Sequence, residues 1–124
     1  MTTGDLNPKF VFFSPVRSEA ARPEELVEHV DHAIIALDAS APRGGSFAIE
    51  QLNPAPAATT LRVDLWVNDL DDYTCTYGFL VSSEDGRVPY ARGERSMVNV
   101  NAKPWSNDFR AAHAELMKDL PAFA

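Results

Sequence analysis

Leu61 to Asn101 reads LRVDLWVNDL DDYTCTYGFL VSSEDGRVPY ARGERSMVNV N, and this stretch decides which folds the chain can adopt. Leu61, Val63, Leu65 and Val67 alternate with Arg62, Asp64, Trp66 and Asn68. That two-residue period belongs to an antiparallel strand with one face buried. Asp69 to Asp72 turns the chain, and Tyr73 to Ser83 forms the next strand. Glu84-Asp85-Gly86-Arg87 follows, with an Asp-Gly pair that supplies the positive φ of a tight hairpin. Val88 to Asn101 is the last strand. It carries Tyr90, Arg92, Glu94, Ser96, Val98 and Val100 on one face and Ala91, Gly93, Arg95, Met97 and Asn99 on the other, so neither face is cleanly apolar.

Working outward, Ser46 to Leu52 is a short strand closed by Asn53-Pro54-Ala55-Pro56. Before it the period changes to that of a helix. Leu26, Val27, Val30, Ala33, Ile34, Leu37 and Ala41 recur at three- and four-residue steps, with Glu28, Asp31, His32 and Asp38 outside the stripe. Pro23 suits a first helical position, and Glu24 and Glu25 suit the positive end of the dipole. Pro42, Gly44 and Gly45 end the helix, which is predicted over Pro23 to Ser40. Lys9 to Arg17 is aromatic and β-branched and predicts a first strand, with Pro15 marking an edge or a bulge. A tail helix starts at the N-cap Ser106 and runs to about Lys118.

Composition narrows the function. Eleven Lys+Arg against 18 Asp+Glu leave a net charge of −7, which argues against nucleic-acid binding. With 45% apolar residues the 124-residue chain furnishes one core, so it is read as a single domain over residues 1–124 and not as a disordered chain. No window reaches the roughly 18 consecutive apolar residues of a membrane span. The first residues lack the order of a secretion signal. The expectation is a protein without membrane attachment in the cytoplasm, and the single cysteine, Cys75, excludes an internal disulfide framework.

Strand, helix, then four strands gives one helix and one antiparallel sheet, each with an apolar face to hide, so the two must cover each other. The class is α+β: one long helix on a curved antiparallel sheet of about five strands, plus a short C-terminal helix. The sheet keeps an edge and an outer face, which predicts pairing with further copies as a homodimer or a dimer of dimers. This order resembles the hotdog-fold thioesterase superfamily, in its 4-hydroxybenzoyl-CoA thioesterase-like branch. The residues that carry the resemblance are Arg62 to Val67, the Ser-Glu-Asp-Gly hairpin, Tyr90 to Arg95 through Val98-Asn99-Val100, the Lys103-Pro104-Trp105 exit, and Phe10 to Arg17 closing on Pro-Val-Arg. The resemblance implies an acyl-CoA or acyl-carrier thioester as ligand, and no cofactor beyond that thioester. A cone-shaped fold of the nuclear-transport-factor-like kind is the rival architecture, and there helices rather than a strand precede the sheet.

The family resembled places an acid and an Asp-x-x-Gly-His-Val-Asn-Asn-like motif at the start of the helix. Backbone N–H groups and the dipole there are aimed at developing negative charge. Glu25-Leu26-Val27-Glu28-His29-Val30-Asp31-His32 is the nearest match, with Glu25 for aspartate and Glu28 at the glycine position. The resemblance makes Glu25 the nucleophile or general base and has His29 orient substrate or polarise the carbonyl. A second placement uses His29 and Asp38, nine residues apart, with Leu37-Asp38-Ala39-Ser40-Ala41 resembling the Leu-Ala-Asp-Thr-Ala of phenylacetate-pathway thioesterases. A third leaves no gap after Arg17, which puts Ala20 and Arg22 where acids belong and yields a hotdog protein that binds acyl groups or serves as a structural subunit. Each residue also has a plainer reading: Glu25 as dipole partner, His29 as a residue flanking the core, Asp31 and His32 as solvated face, Asp38 as a local cap. His29 and His32 lack the company a zinc site needs, so no metal is expected. Arg92 and Arg95 are the substrate-binding candidates, because guanidinium matches a CoA phosphate, with pairing to Asp or Glu as the alternative.

Overall fold

The computed structural model describes residues 9–15, 23–38, 45–56, 59–99 and 104–117. The elements follow the predicted order: β1 (Phe10–Pro15), α1 (Pro23–Leu37), β2 (Ser46–Gln51), β3 (Thr60–Leu70), β4 (Thr74–Ser83), β5 (Pro89–Val98) and α2 (Asn107–Ala114). One antiparallel sheet takes the order β1-β3-β4-β5-β2, so the first two strands of the chain become its two edges. Phe10 pairs with Leu65 and Pro15 with Thr60, which places an N-terminal strand inside the sheet and rules out the cone. Pro15, which has no N–H to give, sits on an edge as predicted.

α1 runs 15 residues, about 22 Å at the rise of an α-helix. Leu26, Val30, Ala33 and Ile34 turn toward the sheet and are fully buried against Leu61, Val63, Leu65, Val67, Cys75, Tyr77, Phe79 and Val81. These are the alternate residues of β3 and β4, paired across the ladder as Leu61 with Ser83, Val63 with Val81, Leu65 with Phe79 and Val67 with Tyr77. The predicted extension of α1 to Ser40 falls on residues outside those described, and its last turn closes with the Asp38 N–H donating to the Ile34 carbonyl at 2.9 Å. Val16, Arg17, Ala20, Arg22 and the Pro42-Arg43-Gly44 stop lie outside the described residues as well, as does the strand end from Val100 to Asn101.

Turn chemistry accounts for the joints. Gly86 has φ +77° in the β4–β5 hairpin, where Asp85 accepts from the Ser83 hydroxyl at 2.6 Å and the Arg87 N–H at 3.0 Å. The β3–β4 turn is tighter than the predicted Asp69 to Asp72. Asp69 and Leu70 remain in the strand, and the Asp71 carboxylate alone caps the bend, accepting from the Tyr73 and Thr74 N–H groups at 2.9 and 2.7 Å. The Thr74 side chain first, and then those backbone bonds, favour the charged form and hold the Asp71 carboxyl below the usual carboxylate range. α2 starts as predicted, with the Ser106 hydroxyl accepting from the Phe109 N–H at 3.1 Å. It stops at Ala114 rather than Lys118. β1 covers β3 only as far as Leu65, and beyond it the chain uncoils so that the Leu116 carbonyl accepts from the Val67 N–H at 2.8 Å and fills the vacated edge.

Candidate active site at the start of the long helix

The two edges of the sheet leave α1 in contact with β1 on one flank and with β2 on the other, and the polar residues beside its apolar stripe divide accordingly. His29 faces β1. Its Nδ1 lies 2.6 Å from the Ser14 hydroxyl, and Ser14 is 3% exposed on the helix-facing side of the strand. The ring itself is half-buried. Burial, and then the neighbouring His32, hold its pKa below the ordinary imidazole value, against the opposing charges of Glu28 and Glu25. His32 meets it edge to face, ring centroids 6.1 Å apart. Glu25 is exposed one turn earlier on the same side of the helix, the i, i+4 neighbour of His29. Glu25 and His29 are therefore brought together.

Asp31 faces the other flank, and here the reading of a solvated residue is corrected. Its carboxylate accepts a bidentate pair from Arg95 on β5, Nε to Oδ1 at 2.9 Å and Nη2 to Oδ2 at 3.2 Å. Arg95 is buried, spans the Phe47 ring at 5.9 Å, and donates from Nη1 to the Ser46 carbonyl at 3.4 Å. A guanidinium so engaged ties β5 and β2 to α1, and it is not the exposed cation taken for a phosphate ligand. Arg92 lies three residues away along the strand and so points to the opposite face, where it pairs with Glu50 at 2.9 Å in solvent. The two arginines do not converge on one ligand. Arg92 borders a groove of about 580 Å³ on the outer face, lined by Trp66, Leu80, Gly93 and Glu94, with the whole sheet between it and His29.

Asp38, the second candidate acid, stands at the far end of α1, about 13 Å along the axis from His29. Its charge reaches Tyr77 and His113 instead, but burial dominates both, pushing the Tyr77 hydroxyl up and holding the His113 ring below the ordinary imidazole value. His113 is fully buried between the Phe109 ring, stacked at 3.8 Å, and the Tyr77 hydroxyl, 2.5 Å from Nε2, while its Nδ1 lies 2.8 Å from the Phe109 carbonyl. A carbonyl can only accept, so Nδ1 donates; burial disfavours a second proton, and in the neutral ring Nε2 accepts from the Tyr77 hydroxyl. Burial pushes the Cys75 thiol up to about 12, which makes it an inert packed residue. Ser14 and Asp31 are the partners that sequence reading missed. Among the described residues no group of three or more His, Cys, Asp or Glu side chains is placed to hold a metal ion.

No family model matches the sequence, and no curated protein matches it. Solved structures do match the fold. A 1,4-dihydroxy-2-naphthoyl-CoA thioesterase from Synechocystis superposes with a TM-score of 0.74 at 14% identity, over 92% of this chain and 100% of that one. A Staphylococcus aureus protein solved in complex with CoA gives 0.72 at 11% identity, over 93% and 89%. The dynemicin thioesterase gives 0.74 at 11% identity, over 91% and 100%. The chain has the hotdog fold. That fold is shared with solved thioesterases, among them a naphthoyl-CoA and a gentisyl-CoA thioesterase, while none of this chain's helices, among the described residues, is long and apolar enough to cross a membrane.

Proposed function

We propose that this hotdog chain hydrolyses acyl thioesters of CoA or of a carrier protein, at the β1-facing side of α1. The observation that carries the reading is the half-buried His29, held by Ser14 and flanked by Glu25, on the longer helix of a fold shared with CoA thioesterases. The likeness to a protein solved with CoA supports a CoA handle on the substrate. In this reading a water attacks the thioester carbonyl carbon and Glu25 takes its proton. His29 polarises the carbonyl oxygen, the C–S bond breaks, and the thiolate leaves and is protonated, giving a carboxylic acid and a thiol. Glu25 is exposed in the single chain, and a carboxylate works best as a base where water is excluded. The open edge of β2, with Phe47 48% exposed, is where we place a second copy that extends the sheet in a homodimer, on the flank opposite His29.

The test is a thiol-release assay across short, long and aromatic acyl-CoA esters with the wild type, Glu25→Ala, His29→Ala and Asp38→Ala, each checked for folding by circular dichroism. Turnover lost in Glu25→Ala and His29→Ala but kept in Asp38→Ala supports the site. Loss confined to Asp38→Ala moves the chemistry to the other end of the helix. If no ester turns over, acyl binding without hydrolysis takes its place.

A further inference from the structure

We infer that Ser14 fixes the proton of His29 on Nε2, so that the ring meets a substrate carbonyl as a hydrogen-bond donor and not as the base. This rests on the reading of the His29 side of α1 as the site, and it adds a positioning residue on β1 to it. Ser14 is 3% exposed, and its hydroxyl has one hydrogen-bond partner among the described residues, His29 Nδ1 at 2.6 Å. A buried hydroxyl hydrogen needs an acceptor, and among the described residues only that nitrogen is in reach. Were Nδ1 to donate instead, the Ser14 proton would be left orphaned under α1. Ser14 therefore donates, Nδ1 carries no proton, and the neutral ring has its N–H on Nε2. A doubly protonated ring would orphan the same serine hydrogen, so the contact also opposes charging the ring, in the same sense as its burial.

Nε2 has no hydrogen-bond partner among the described residues, although the ring is half-buried. Among the described residues the charged and titratable groups around it are Glu25, Glu28 and His32, all on α1, and the side chains β1 turns toward the helix, Phe10, Phe12 and Ser14, do not ionise. Nothing on the strand competes for the outward N–H. A neutral donor at that place stabilises negative charge growing on a carbonyl oxygen. Removing the proton from the attacking water then falls to Glu25, which gives the two neighbours separate tasks.

The experiment is nitrogen-15 NMR of the imidazole rings of the full chain near neutral pH, with His29→Gln identifying the signals. It is combined with steady-state kinetics of wild type, Ser14→Ala and Ser14→Thr on the best ester from the thiol-release panel. Protonated Nε2 with bare Nδ1 is expected. Ser14→Ala should mix the tautomers and lower kcat by about tenfold with little change in KM, and Ser14→Thr should restore both the signature and most of the rate. Protonated Nδ1 in the wild type overturns the inference, as does a Ser14→Ala protein with an unchanged tautomer. Should Ser14→Ala fail to fold, the wild-type and Ser14→Thr spectra decide alone. The tautomer is read without turnover, so an inactive chain would sink the hydrolase reading while the Ser14–His29 assignment stood or fell on the spectrum.

Discussion

The two ends of α1 each set a histidine against a hydroxyl, with an acid in electrostatic range, and they do opposite things with the same chemistry. At the C-terminal end, His113 has spent both ring nitrogens, one on the Phe109 carbonyl and one on Tyr77, and lies fully buried in a stack with Trp105 and Phe109. At the N-terminal end, His29 has spent one nitrogen on Ser14 and is half-buried. A histidine satisfied on both sides is a packing element with a polar lining; one satisfied on one side is oriented and still has a bond to offer. What separates them is α2, which packs on β3 and β4 at one end and, among the described residues, has no counterpart at the other.

That contrast breaks first if His113 matters only to activity. His113→Ala removes a fully buried ring and orphans the Tyr77 hydroxyl, so it should lower unfolding free energy by about 4 kcal/mol in urea titration. Activity per folded molecule should be unchanged. Next is Asp31→Ala, which strands the Arg95 guanidinium. Truncating one partner of a buried pair costs about 3 kcal/mol, the low end applying because the Asp31 side chain is 34% exposed. Arg95→Met should cost less than Asp31→Ala, since it removes the charge with its partner's obligation. Equal losses would show that the pair contributes nothing beyond packing.

Much of the fold was legible because its signals are local. The alternation of Leu61, Val63, Leu65 and Val67, the Asp-Gly hairpin, the Ser106 cap and the α1 stripe each sit within a few residues of the groups they organise. The polar pairings were not legible, because they join positions far apart in the chain. Ser14 and His29 are 15 residues apart, Tyr77 and His113 are 36, and Asp31 and Arg95 are 64. Asp31 falls outside the apolar stripe, and a helical wheel cannot tell solvent from a strand carrying an arginine. Asp64 misleads likewise: alternation puts it on the outer face, yet it is 5% exposed, because Arg62 folds over it at 2.7 Å and Lys9 approaches to 3.8 Å. Of the proposed site, Glu25 and His29 were named together by the motif that the sequence resembles, and Ser14 was not legible.

A finer test of the contrast is pH. Both histidines have folded pKa values below the ordinary 6.5, with burial the leading cause for each. A group depressed in the folded state contributes stability that is whole above 6.5 and is lost as pH falls through the folded value, because the unfolded chain takes up the proton first. Wild type should therefore lose stability in urea titrations between pH 7 and pH 5. His113→Phe should remove part of that slope and leave the share due to His29. If His29→Gln flattens the curve more than His113→Phe does, the half-open ring is the more strongly depressed one, and its contact with Ser14 does more than pack.

The smallest expected effect is on the outer face. Arg92 and Glu50 pair at 2.9 Å with both side chains more than 60% exposed, so Arg92→Ala should change stability by no more than about 0.5 kcal/mol. It should also leave KM for an acyl-CoA ester unmoved, because the sheet stands between Arg92 and His29. A rise in KM with kcat unchanged would mean that the CoA phosphates reach the groove beside Trp66, either around the edge of β2 or from a second copy paired along it. The site would then be shared between the two faces of the sheet, and the division of labour between the ends of α1 would need a third party on β5.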